Sequence, residues 1–222
     1  MTGEEPRSKV PRIAATRAAT GAAVTTNAPA ALEGPAADKA ALRARLVAAR
    51  VRRSSSERAN AGHALAAALR ALPELAAART VAAYLPVGSE PGPPDLGDVL
   101  AEGGRRVLLP VLLRDNDLDW AAYGGPGSVV AAGRGLREPD GGRLGPDAVA
   151  AADLVVVPGL AVDRHGMRLG RGGGSYDRAL ARAAGAFTAV LLYDDELLDR
   201  VPAEPHDRPV RAAVTPGGTV RF

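Results

Sequence analysis

The residues best able to do chemistry are crowded into one stretch, Arg168-Leu169-Gly170-Arg171-Gly172-Gly173-Gly174-Ser175-Tyr176-Asp177-Arg178. Glycines carry no side chains to obstruct close approach, so their backbone N–H groups can turn toward an anion just before the helix expected to start at Ser175. Arg168 and Arg171 add charge-assisted donors. Asp177, in the first turn of that helix, is placed to hold Mg²⁺ bridging phosphate oxygens, and Asp207 of Glu204-Pro205-His206-Asp207 is a second carboxylate, acting directly or through water. The chemistry that fits is phosphate binding. A mobile surface turn would explain the glycines but not the arginines and aspartate at the mouth of a helix. Asp177 alone has an equally open alternative, as a helix-dipole partner or a neighbour of Arg178.

Familiar glycine motifs do not fit. A P-loop needs a lysine after its last glycine, and the lysines are only Lys9 and Lys39. A dinucleotide fingerprint wants its glycines directly after a strand, whereas about twelve residues separate this loop from the apolar run ending at Val157. Kinase signatures are missing downstream. His63, His165 and His206 lack metal-ligand spacing and no Ser-His-Asp order stands out, which leaves triad hydrolysis without support. There are 0 cysteines, excluding disulfides, thiolate metal sites and a cysteine nucleophile.

Composition narrows the partners. The formal charge is only +3 and aromatic residues are 3% of the chain, so neither a strong phosphate-backbone footprint nor a base-stacking platform is present, and nucleic acid is not expected. No run approaches about 18 consecutive apolar residues, so no membrane span is expected, and the interrupted Ala14–Ala31 stretch does not read as a secretory signal. A cytoplasmic, monomeric protein acting on small molecules is the expectation.

The elements that must position the loop follow from periodicity. Residues 1–37 show no sustained apolar period and read as a flexible extension; residues 38–222 read as one domain. Asp38 is expected to cap a helix from Lys39 to about Val51, on which Lys39, Arg43 and Arg50 fall within about 40° of one another. That cationic stripe reads either as a solvated face or as a ligand contact. Ser54 and Glu57 have capping-box spacing for a second helix that Pro73 should stop, giving an N-terminal helical layer. Strands are expected over Thr80–Leu85, Arg106–Val111, Leu118–Tyr123, Asp153–Val157, Phe187–Tyr193 and Arg211–Thr215, with helices over Asp95–Ala101 and Ser175–Ala184. Such alternation implies an α/β fold with a largely parallel central sheet flanked by helices. Glu90, just past the first strand, can reach the ligand edge of such a sheet and accept hydrogen bonds from a polar heterocycle.

Pro158-Gly159-Leu160-Ala161-Val162-Asp163 followed by Gly166-Met167-Arg168 and the rest of the loop to Arg178 resembles the 5-formyltetrahydrofolate cyclo-ligase family, also called methenyltetrahydrofolate synthetase. Lys39-Ala40-Ala41-Leu42-Arg43, Tyr84-Leu85-Pro86 with Glu90, Leu109-Pro110 and Glu138-Pro139 join it in family order, so that the resemblance covers about residues 38–216. It implies a fold like that of the NagB/RpiA/CoA-transferase-like proteins, and closure of 5-formyltetrahydrofolate to 5,10-methenyltetrahydrofolate with ATP as co-substrate and Mg²⁺. By the resemblance, Lys39 and Arg43 contact ATP phosphates and Arg168, Leu169, Gly170, Arg171, Gly172, Gly173, Gly174, Ser175 and Tyr176 wrap the nucleotide. Leu85 and Glu90 contact the folate, with Arg171 to Ser175 where its formyl group meets the γ-phosphate. Arg171 and Tyr176 are the catalytic candidates, and Asp177 and Asp207 serve the metal. Many members carry tyrosine at the place of Ser175, and some carry lysine at that of Gly173. A non-catalytic nucleotide or folate sensor on the same scaffold, and a phosphosugar isomerase, are the competing readings.

Overall fold

The computed structural model describes residues 35–222, so the extension expected over residues 1–37 lies almost wholly outside the described residues. Helix α1 (Pro35–Val51) is already helical at Pro35, which places Asp38 inside the first turn, where it complements the helix dipole instead of capping. Helix α2 (Ser55–Arg70) opens with the expected capping box: the Glu57 N–H donates to Ser54 Oγ at 3.2 Å and the Ser54 N–H to Glu57 Oε2 at 2.7 Å. Pro73 does not stop this helix. α2 ends at Arg70, and Pro73 occupies the first turn of α3 (Pro73–Ala77), where a missing N–H costs nothing.

The chain continues through β1 (Thr80–Ala82), α4 (Leu96–Ala101), β2 (Arg106–Leu112), β3 (Leu118–Ala122), β4 (Val129–Ala131), β5 (Arg137–Pro139), β6 (Leu154–Pro158), β7 (Ala161–Asp163), β8 (Arg168–Leu169), α5 (Ser175–Arg182), β9 (Phe187–Leu191), β10 (Leu197–Leu198), β11 (Ala212–Thr215) and β12 (Gly218–Arg221). Seven strands form the main sheet in the order β12-β11-β9-β6-β1-β2-β3. Its inner pairs are parallel, and β3 and β12 close the two edges antiparallel. β1 is shorter than the expected Thr80–Leu85: after Ala83, whose N–H still donates to the Leu108 carbonyl at 2.9 Å, the chain leaves the sheet, and Tyr84, Leu85 and Glu90 line a cavity.

Alternation along the strands divides the core into two layers, as a period of two requires. On β6, Leu154 and Val156 face a cluster with Leu65 and Leu69 of α2, Leu75 of α3 and Leu100 of α4, whereas Val155 and Val157 face Ala179 and Leu180 of α5 with Val149. Both faces of the sheet are covered, hence the continuous apolar strands. The two N-terminal helices diverge. α2 covers the main sheet, whereas Leu46 of α1 packs with Leu160, Ala161, Leu169 and Val201 around a small sheet of order β10-β7-β8. That small sheet carries the chain from β6 to the glycine loop.

This placement corrects the cationic stripe. Lys39 and Arg43 face the glycine loop, but Arg50 is buried: its Nε and Nη2 donate to Glu196 Oε1 and Oε2 at 2.6 and 2.7 Å, and Nη2 also donates to the Gly159 carbonyl at 2.6 Å. A helical wheel assigns direction but cannot see an acidic partner more than a hundred residues away. Glu196 also accepts from the Tyr193 N–H at 3.0 Å, so the buried charges are well hydrogen-bonded. Removing one partner leaves the other buried and unpaired, which costs about 3–5 kcal/mol. Arg50→Ala is expected to lower the unfolding free energy by that order in urea titration; a loss below about 1 kcal/mol would show that the pair contributes little.

Candidate active site

Strand order reverses at β1: β2 lies on one side and β6 on the other. In open α/β sheets the crevice beyond the strand ends at such a switch point receives ligands. Here the segments leaving β1 (Tyr84, Leu85), β2 (Pro110, Leu112) and β6 (Pro158, Gly159) line a cavity of about 300 Å³, closed on its far side by Gly170–Tyr176. The β4–β5 hairpin, which the sequence reading missed as an element, roofs it with Leu136, Arg137 and Glu138. Glu138 is held there by the Leu112 N–H, which donates to its Oε1 at 2.9 Å.

Glu90 is one of three carboxylates lining this mainly apolar cavity, with Glu138 and Asp177, and its side chain is 9% exposed. Its Oε2 accepts from the Val87 N–H at 3.1 Å, fixing the loop after β1, and its Oε1 accepts from Arg171 Nε at 3.1 Å. Tyr84 donates to the Pro91 carbonyl and Tyr193 to the Ser89 carbonyl at 3.3 Å, so the segment bearing Glu90 is pinned from both sides. Tyr176 lines the same cavity and packs against both core layers. Burial, reinforced by the Glu90 charge and opposed by Arg168, pushes its phenol well above the ordinary value, so it remains protonated and can donate but not act as a base.

A second cavity, of about 560 Å³, lies on the other side of the glycine loop. Arg168, Gly170, Gly172, Gly173, Gly174 and Asp177 line both cavities, making the loop a shared wall. Lys39 and Arg43 of α1 reach this second cavity, with Arg178, Glu204, Asp207 and Arg208. Arg43 Nε donates to the Gly170 carbonyl at 2.9 Å. Gly174 sits at φ 68°, the left-handed conformation that lets the loop turn into α5 without a side-chain cap.

The charges of this second cavity are largely paired with one another. Lys39 Nζ donates to Glu204 Oε2 and Asp207 Oδ2, each at 2.6 Å. Burial works against the Lys39 ammonium, but its bonds to Asp207 and Glu204 outweigh it and hold the pKa above the ordinary lysine value. Burial likewise opposes the Asp207 carboxylate, yet Lys39 and the Glu204 N–H hold that pKa below the ordinary range. Arg168 bridges the site from beneath, with Nη1 donating to the Pro158 carbonyl at 3.1 Å and Nη2 to Asp177 Oδ1 at 3.0 Å.

Among the described residues, no three His, Cys, Asp or Glu side chains converge on a metal position. Asp177 and Asp207 nevertheless share one cavity, and one or two carboxylates suit Mg²⁺ that retains waters and arrives on phosphate oxygens. The donor set fits such an ion and not a resident caged one. All the site residues expected from the sequence thus line one or both cavities; Tyr84, Glu138, Arg178, Glu204 and Arg208 line them too and were not singled out as site residues, although all but Arg208 stand within segments the sequence had marked.

Residues 35–216 match the 5-formyltetrahydrofolate cyclo-ligase family. The chain belongs to that family. It is 51% identical over 144 residues to the 5-formyltetrahydrofolate cyclo-ligase of Mycolicibacterium smegmatis, covering 62% of this chain and 74% of the relative. It is 31% identical over 159 residues to the Escherichia coli K12 enzyme of the same name, covering 70% of this chain and 87% of that one. The NMR structure of Aquifex aeolicus 5,10-methenyltetrahydrofolate synthetase superposes with a TM-score of 0.70 at 29% identity, over 82% of this chain and 92% of that one. Family membership makes the chain an enzyme, and the α/β sheet with its switch-point crevice is the family fold. No helix among the described residues is long and apolar enough to cross a membrane.

One clasp fixes the wall of both cavities from outside. Asp117, in the β2–β3 turn, accepts from Arg182 Nη1 and Nη2 of α5 at 2.9 and 2.6 Å and pairs with Arg178 at 3.4 Å. Arg182, through its hydrogen bonds, is the largest cause that brings the Asp117 carboxyl from 3.8 down to about 2, against an opposing effect of burial. Because the folded value is depressed, the clasp stabilises fully above about pH 4, and that contribution fades as pH falls from about 4 to about 2. Asp117→Asn should flatten this segment of the stability–pH curve while lowering stability at pH 7; an unchanged acid limb in chemical denaturation would argue against the clasp.

Proposed function

We propose that this protein uses ATP and Mg²⁺ to cyclise 5-formyltetrahydrofolate to 5,10-methenyltetrahydrofolate, releasing ADP and phosphate. The carrying observation is the glycine loop that forms one wall of both a largely apolar cavity containing Glu90 and a cavity rich in cations. Phosphoryl transfer requires the two bound molecules to touch, with reacting atoms about 3–3.5 Å apart, so they must meet at the edge of the loop that both cavities share; it needs positioning and charge neutralisation more than covalent help from the protein. The M. smegmatis and E. coli relatives carry the corresponding name, which supports the same reaction here.

In this reading the pterin ring lies against Tyr84 and Leu85 with its polar edge on Glu90. The ring competes with Arg171 for Glu90 Oε1, and so frees the Arg171 guanidinium for the phosphoryl group. The formyl oxygen attacks the γ-phosphorus and the bond to ADP breaks. N10 then attacks the formyl carbon and loses its proton as the C–O bond to phosphate breaks, closing the ring. Lys39, Arg43 and the loop N–H groups hold the triphosphate, and Arg168 keeps the wall in register through Pro158 and Asp177. Asp177 and Asp207 would hold Mg²⁺, which when bound neutralises phosphate charge. Asp207 Oδ2 accepts from Lys39 and the Glu204 N–H, which leaves Oδ1 for the ion. The β4–β5 roof and the apolar lining exclude water that would otherwise hydrolyse the activated formyl group.

The purified protein with 5-formyltetrahydrofolate, ATP and Mg²⁺ should produce the methenyl absorbance with one ADP per product. Ligand binding by calorimetry without either product would instead favour a sensor, and turnover of a sugar phosphate without ATP an isomerase. Arg171→Ala, removing one charge-assisted contact of about 1.5–3 kcal/mol, should slow turnover about 10- to 150-fold. A change below twofold in kcat would place Arg171 outside the transition state.

A further inference from the structure

We infer that Arg208 is a second triphosphate-binding guanidinium, acting with Arg43 on the same phosphate chain; this rests on the ATP-dependent reading above. Five cationic side chains line the second cavity. Three are committed to carboxylates: Lys39 to Glu204 and Asp207, Arg168 to Asp177, and Arg178 to Asp117. Arg43 donates to a carbonyl and has no carboxylate among the described residues, and the Arg208 guanidinium has neither a carboxylate nor a carbonyl partner among them. The uncompensated positive charge of the cavity therefore resides on Arg43 and Arg208, and a phosphate chain still anionic after metal binding is the ligand that such a pair suits.

The backbone around Arg208 is fixed although its side chain is exposed. The Arg208 N–H lies 3.4 Å from Asp177 Oδ1, the Asp207 N–H donates to the Glu204 carbonyl at 3.0 Å, and the Val210 N–H donates to the Gly166 carbonyl at 2.9 Å. Pro209 restricts Arg208 to extended backbone. Gly166 is required at that anchor: its φ is 77°, and a Cβ there would lie 2.3 Å from the Val210 carbonyl oxygen. A guanidinium on a fixed backbone beside Asp177, with no internal partner to give up, can meet a phosphate without the displacement that Lys39 and Arg171 need.

The test compares wild type, Arg208→Ala and Arg208→Lys. Arg208→Ala should raise KM for ATP about tenfold, leave KM for 5-formyltetrahydrofolate within twofold, and weaken calorimetric binding of inorganic tripolyphosphate by a similar factor. Arg208→Lys should recover part of both losses. Because the side chain is exposed, the thermal midpoint should stay within about 2 °C of wild type. KM for ATP and tripolyphosphate affinity both within twofold of wild type would overturn the inference while leaving the reaction assignment intact. A wild-type protein that binds tripolyphosphate through Arg208 but forms no methenyl product would overturn the assignment alone.

Discussion

The site depends on the burial of one guanidinium. Arg168, with 3% of its side chain exposed, ties the carboxyl end of β6 to the start of α5 by donating to Pro158 and Asp177. Its position dictates its neighbours. A Cβ on Gly159 would lie 3.3 Å from Arg168 Cγ and 2.7 Å from Val190 Cγ2, and one on Gly170 would lie 2.9 Å from Arg168 Nη1. Those glycines make room for the arginine as much as for a ligand. Arg168 Nε is buried with no hydrogen-bond partner, so a desolvated donor is stored in the wall that both cavities share. The strand–loop–helix unit is thus built around a charge and not only around apolar contacts.

A crowd of cations beside a cavity would repel itself if nothing opposed it. Three ligand-facing cations are held by carboxylates of the same site: Lys39 by Glu204 and Asp207, Arg168 by Asp177, Arg171 by Glu90. Each pair lets the protein fold around the site without its ligands. The cost of opening a pair differs with burial. Arg171 is 58% exposed and its bond to Glu90 is weak and screened, whereas Lys39 is buried between two acids and yields only to a ligand that replaces both.

Much of this site was legible because its chemistry is local in sequence. The glycine–arginine run, the helix starting at Ser175 and the strand before Pro158 are close in sequence, so spacing placed the glycines and arginines at a helix mouth beyond a strand end. The capping box of α2 and the parallel alternation were legible for the same reason. What the chain did not reveal is whatever needs a distant partner. Arg50 shares a helix face with Lys39 and Arg43, yet Glu196 draws it into the core. Lys39 looked free until Glu204 and Asp207 were brought to it. Strands of two or three residues, such as β8 and β10, are too short for a period of two to register, although β8 carries Arg168.

The departures from the family pattern can be weighed by the space around them. A Cβ at Gly173 would meet only Ser175 Oγ at 3.4 Å, and its φ lies outside the left-handed region, so packing does not forbid a side chain there. Space therefore does not account for the missing lysine. Its would-be head group would project from a loop whose two cavities already have Arg168, Arg171 and Arg43 around them, and another cation would add repulsion before any phosphate arrived. Ser175, the other departure, lies beside Tyr176 in the lining of the apolar cavity. On the proposed reading, less aromatic surface there would leave the pterin ring to be held by Leu85, Glu90 and the rest of that cavity's lining.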